Sequence, residues 1–135
     1  ETNQLFDGII SNPPYYINSL EGTNARANRA KHAAYFSFND FLSKCYRLTN
    51  EDGVLMYIIP SDDVDFHVHS AKDYGWCLVQ RIDIYSKVDN LVRCVLVFRK
   101  KVLVFSKKDL VIRNVDNSYT KEYISLTVEY HHKQL

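Results

Sequence analysis

The sequence predicts an α/β fold in which parallel strands are followed by an antiparallel hairpin, with helices flanking the sheet. Three observations predict it. Apolar runs at residues 5–11 and 54–59 are each closed by proline, as buried strands often are. An amphipathic segment at residues 38–48 separates them, so strand, helix and strand form a crossover unit with parallel strands. A third apolar run at residues 78–86 joins a fourth at 93–105 through a short link, and so short a link permits only antiparallel neighbours.

Each element follows from its residues. The run LFDGIIS at residues 5–11 is read as a buried strand that Asn12-Pro13-Pro14 ends. Residues 16–36 are polar and lack an apolar period, so they are expected to form a mobile substrate loop. Ser37 with Asp40 resembles a capping box. Phe38, Phe41, Leu42, Cys45 and Leu48 then recur at helical spacing. Asn50 to Gly53 should stop that helix, and Val54 to Ile59 forms the second strand, ended by Pro60. Ser61, Asp62 and Asp63 are expected to cap a helix reaching about Tyr74, with Gly75 as its stop. The run from Arg93 to Phe105 reads as one long strand with a kink near Arg99-Lys100-Lys101. A short strand is expected at residues 110–113, and a closing helix at 119–130.

Bulk properties narrow the class. The chain has 135 residues, enough for one small domain. Hydrophobic residues make up 46% and charged residues 24%, a globular balance that leaves no room for long disorder. Seventeen Lys+Arg against sixteen Asp+Glu give a formal charge of +1. The chain as a whole is therefore not a polybasic nucleic-acid binder, and contact with RNA requires a local patch. The three cysteines, Cys45, Cys77 and Cys94, are odd in number and form no C-x-x-C pair, so buried free thiols are expected, as suits a cytoplasmic protein. No signal peptide or transmembrane run is present. The chain opens without Met and runs almost directly into an apolar strand, as an excised piece of a longer protein would.

The residues that carry chemistry are Asn12, Pro13, Pro14 and Tyr15, at the carboxyl end of the first strand, where open α/β sheets bind ligands. An aromatic amine is a poor nucleophile because its lone pair is delocalised into the ring. An acceptor on each amine hydrogen favours a more tetrahedral, reactive nitrogen. Asn12 offers its side-chain oxygen and Pro13 its main-chain carbonyl, and the proline rings keep both aimed. Tyr15 offers a face on which a planar base can stack, worth about 1–3 kcal/mol. The competing reading is a plain strand-terminating turn.

With these residues in view, the sequence resembles the bacterial tRNA adenine-N6-methyltransferases that act on the adenosine next to the anticodon of a valine tRNA. The resemblance covers nearly the whole chain. Phe6 to Ser11 with Asn12-Pro13-Pro14-Tyr15 is similar to the family's motif strand and turn. Arg29-Ala30-Lys31-His32 resembles its basic segment, and Asn50 to Gly53 with Ile58-Ile59-Pro60 its next turn and strand. Gly75-Trp76 with Leu78 and Arg81, Arg93 to Phe98, Leu110 to Arg113, and Tyr119 to Tyr123 with Leu126-Thr127 resemble its later segments. The resemblance implies the C-terminal half of a Rossmann-like class I methyltransferase sheet. It also implies S-adenosylmethionine as cofactor, with Asn12 touching it, and tRNA as partner. The glycine-rich cofactor loop and the three N-terminal strands should lie upstream; the four glycines present, Gly8, Gly22, Gly53 and Gly75, are isolated. The chain alone is therefore expected to methylate nothing.

Other residues are weighed against blander roles. Arg26, Arg29, Lys31 and His32 are candidates for RNA phosphate contact or a solvated basic loop. Arg99, Lys100, Lys101, Lys107 and Lys108 are a basic stretch that fits tRNA contact or a solvated hairpin edge. His67 and His69 are two apart within a helix and point in different directions, so no metal site is expected. Alternatives to the tRNA reading are DNA-adenine or protein-glutamine methylation on the same tetrad, and a non-catalytic RNA-binding module. Without its neighbouring strands, the apolar edge at residues 5–11 should leave Leu5, Phe6 and Ile9 exposed, or pair with another copy.

Overall fold

The computed structural model describes residues 4–14 and 37–130. Five strands form one mixed sheet: β1 (Phe6–Ser11), β2 (Thr49–Pro60), β3 (Cys77–Tyr85), β4 (Leu91–Arg99) and β5 (Ser106–Val111), in the order β1-β2-β4-β3-β5. The helices are α1 (Phe38–Leu48), α2 (Val64–Asp73) and α3 (Lys121–Thr127). The pair β1–β2 is parallel, joined through α1, and β2–β4 and β3–β4 are antiparallel. These relations agree with the expected class.

Alternation on the central strands builds the core. Leu55, Tyr57 and Ile59 of β2 are buried, and they stand opposite Phe98, Leu96 and Cys94 of β4. The helix α1 covers this face with Phe38, Leu42 and Cys45, at i, i+4 and i+7. Its start is fixed by Ser37, whose Oγ accepts from the Asp40 N–H at 3.2 Å. Trp76, buried, donates its Nε1–H to the Leu42 carbonyl at 3.2 Å and ties α1 to the start of β3. The helix α2 adds Val64, His67 and Ala71. Gly75, at φ +85°, reverses the chain after α2; a side chain there would meet the Tyr46 ring at 2.9 Å.

Several expectations are corrected. The strand β2 starts at Thr49, not Val54, because Phe6 already pairs with Thr49 before an irregularity in the ladder. Residues 93–105 are not one strand: β4 ends at Arg99, and residues 100–105 connect it to β5. That strand pairs with β3 in parallel on the far side from β4. Arg113 makes only an isolated bridge with Tyr119. The Ser61–Asp63 segment is a 3-10 turn, and neither Asp63 at the α2 N-cap nor the turn's own cap makes a side-chain capping bond. The strand β1 is not buried: Leu5 is 55% exposed, Phe6 45% and Ile10 82%. This matches the expected exposure of an apolar edge at Leu5 and Phe6, whereas Ile9 packs partly against the core. The substrate loop expected at residues 16–36 lies outside the described residues. The cysteines are free, Cys45 and Cys94 buried and Cys77 half-buried.

Candidate active site

The first strand delivers residues 12–14 to the rim of the sheet. Ser11 is its last paired residue, opposite Tyr57. Pro13 is buried, while Asn12 and Pro14 are exposed. Two successive fixed φ angles stiffen the turn, and the buried ring anchors it. The asparagine amide is thereby left accessible at a fixed place. Because β1 and β2 are parallel, their carboxyl ends open side by side. Pro60 ends β2 three residues beyond that pair, and the turn Ser61–Asp63 follows it directly. The Ser61 hydroxyl lies 3.3 Å from Asp62 Oδ1 and 3.3 Å from the Leu91 carbonyl oxygen.

Behind the turn lies a buried aromatic box that sequence reasoning missed. Tyr57 and His67 face one another with ring centroids 5.5 Å apart, and the Phe38 ring meets His67 edge-on at 4.5 Å. Among the described residues neither the Tyr57 hydroxyl nor His67 Nδ1 has a hydrogen-bond partner. Burial pushes His67 down to about 4 against a weaker opposing pull from Asp63, so the imidazole is neutral near pH 7. Burial, with a smaller contribution from Cys45, raises the Tyr57 phenol. The available signal was periodicity: Tyr57 alternates with Leu55 and Ile59, and His67 shares a helical face with Val64 and Ala71. As expected, His69 points elsewhere and is exposed.

Of the other sequence candidates, Tyr15, Arg26, Arg29, Lys31 and His32 lie outside the described residues. The second basic stretch is largely folded into the sheet's own contacts. Lys100 donates to the Thr49 carbonyl at 2.6 Å and sits over the Tyr46 ring, and Lys101 pairs with Asp52 at 2.7 Å. Lys107 reaches Asp83 at 3.0 Å. Asp83, 1% exposed, also takes bonds from Arg81 Nε and from Cys94 Sγ. Burial alone would raise this carboxyl, but the hydrogen bonds from Arg81, Cys94 and Lys107 outweigh it and hold it below the usual range. Among the described residues no group of three or more His, Cys, Asp or Glu is placed to hold a metal ion, and no helix is long and apolar enough to cross a membrane.

Comparison with known proteins places this geometry. The chain is 34% identical over 128 residues to a tRNA1(Val) (adenine(37)-N6)-methyltransferase of Phocaeicola vulgatus, covering 94% of this chain and 55% of the relative. It is 30% identical over 131 residues to the protein of that name from Actinobacillus succinogenes, covering 96% and 54%. The chain thus spans about half the length of the curated relatives it matches. Among solved structures, a predicted O-methyltransferase from Agrobacterium tumefaciens superposes with a TM-score of 0.69 at 14% identity, over 93% of this chain and 52% of that one. M1.HpyAVI in its complex with SAM superposes at 0.53 and 12% identity, over 98% and 67%. Both share the fold. The family model for Eco57I restriction-modification methylases matches residues 1–74, which takes in β1, the Asn-Pro-Pro turn, α1, β2 and α2. On that match, extending over more than half of the sequence, the chain belongs to the Eco57I restriction-modification methylase family.

Proposed function

We propose that this chain is the amine-presenting part of an enzyme that methylates N6 of adenine in tRNA. The observation that carries the reading is the Asn12-Pro13-Pro14 turn at the carboxyl end of β1, with Pro13 buried and Asn12 accessible. The Asn12 side-chain oxygen and the Pro13 carbonyl each accept one amine hydrogen and turn the nitrogen lone pair outward. Tyr15 stacks on the base. As the N–CH3 bond forms, the methyl's bond to the sulfonium breaks and its electron pair stays on sulfur; the oxygens of Asn12 and Pro13 stabilise the positive charge developing on the nitrogen, which then loses one proton to water. The implied cofactor, S-adenosyl-L-methionine, supplies the electrophilic methyl when bound. The residues present fit one side of such a site: Asn12 reaches it, and no glycine-rich loop occurs in this sequence to cradle it. The curated relatives' names support tRNA as substrate, and the three free thiols fit the reducing cytoplasm.

The test is Asn12→Ala in the full-length protein. Loss of one acceptor aimed at the reacting nitrogen should lower kcat about 10²–10³-fold with little change in RNA affinity. Full turnover with the fold intact overturns the assignment. A second reading, methylation of DNA adenine, draws on the restriction-modification description of the matched family. Mass spectrometry for N6-methyladenine in tRNA and in duplex DNA after incubation with the full-length enzyme separates the two.

A further inference from the structure

The helix α2, the strand β3 and the residue preceding β5 enclose a groove of about 370 Å³ that the proposed chemistry does not use. Its charged and aromatic lining is His69 and Lys72 from α2, Arg81 from β3, and Phe105. Asp65 is the single acid in the lining, and Val68 and Leu78 supply apolar surface.

Arg81 is preorganised. The Asp83 carboxylate holds it through Nε at 2.5 Å and Nη2 at 3.1 Å, and the same carboxylate also takes Lys107 at 3.0 Å. Lys107 also lies 3.6 Å from Asp109, so these two cations meet two acids, and the cation of the groove lining outside any salt bridge among the described residues is Lys72. The Arg81 side chain keeps 26% of its surface exposed and lines the groove. Lys72 and His69 are exposed and enter no salt bridge among the described residues. Phe105 is half-exposed, an aromatic face with little packed on it.

The register ties this groove to the motif. Arg81 stands opposite Leu96, Leu96 opposite Tyr57, and Tyr57 opposite Ser11. Arg81 is thus level with the residue before Asn12 and three strand spacings away, ~14 Å. Stacked nucleotides rise ~3.4 Å each along a strand, so this distance is about four nucleotides.

We propose that the groove binds a nucleotide of the RNA strand flanking the target adenine, its base against Phe105 and its phosphate between Lys72 and Arg81. Aromatic faces take any base, and a held guanidinium suits a phosphate. The inference rests on the RNA reading given under Proposed function.

The experiment measures Kd of the full-length protein for two RNAs: a stem-loop carrying the target adenine, and a trinucleotide centred on it that is too short to reach the groove. Phe105→Ala and Lys72→Ala should each shrink the preference for the stem-loop about 10-fold, and Lys72→Ala should also reduce the slope of log Kd against log salt by about one. Neither substitution removes a partner of the buried Asp83, so both variants should fold, as circular dichroism will show. Lys44→Ala, on an exposed position of α1 and outside the groove lining, serves as control. An undiminished preference in both variants, an equal loss in the control, or no wild-type preference for the stem-loop overturns the groove proposal. If the wild-type protein binds neither RNA, the RNA reading itself fails, and the groove proposal with it.

Discussion

His67 is a neutral imidazole enclosed by Phe38, Tyr57 and Phe66. Its value in the folded protein, about 4, lies below the ordinary 6.5. The unfolded chain therefore binds a proton that the folded one refuses between those two values, and stability rises with pH across that window. The contribution is complete above pH 6.5 and is lost as pH falls towards 4, amounting to roughly 3 kcal/mol in full. Thermal unfolding of the full-length protein at pH 7 and pH 5 should show about 2 kcal/mol less stability at the lower pH. His67→Leu should abolish most of that difference while leaving the protein folded at pH 7. The orphan status of His67 and Tyr57 was invisible in the sequence, because the lack of a partner belongs to the packed structure and to no residue alone. The turn at Asn12, Pro13 and Pro14 was legible for the opposite reason: two successive prolines end a strand by their own local geometry.

Turns and strand ends show what patterning conveys. Gly75 was read as a helix stop, and it is one, with its N–H on the Lys72 carbonyl at 3.0 Å and φ at +85°. Gly75→Ala should cost about 1–2 kcal/mol or more, since both the left-handed backbone and the Tyr46 ring resist a Cβ; chemical denaturation measures it. The antiparallel relation of β3 and β4 was legible because their link, residues 86–90, is too short for a crossover. The parallel β5 was not. Val102, Leu103, Val104 and Phe105 continue the apolar run of β4, yet they are exposed and serve as the passage across the end of β3. Apolar continuity says nothing about a change of neighbour. At the other edge, β1 bares Ile10 and Phe6 beside a ladder that is unpaired among the described residues. We predict that the isolated 135-residue chain self-associates there, and that Ile10→Lys suppresses the association in light scattering.

The described residues form a sheet with the Asn-Pro-Pro turn at one edge and the groove of Lys72, Arg81 and Phe105 towards the other. Its class and most of its strand relations followed from run lengths and connection lengths, which are properties of chain reach. Burial of β1 did not follow, because an apolar run does not say what covers it. With no glycine-rich loop in the sequence, the isolated chain should transfer no methyl group to tRNA, and a radiolabelled methyl assay with this chain alone checks that. Among the described residues β1 joins the sheet through its parallel ladder to β2, whose partner residues lie some forty positions downstream. The hairpin of β3 and β4, by contrast, closes over a few residues. Loop-closure entropy then favours the hairpin as the early-folding part and leaves the Asn-Pro-Pro strand to join late and to fray first. In the isolated chain, the strand that leads into the Asn-Pro-Pro turn owes its order to its neighbour β2.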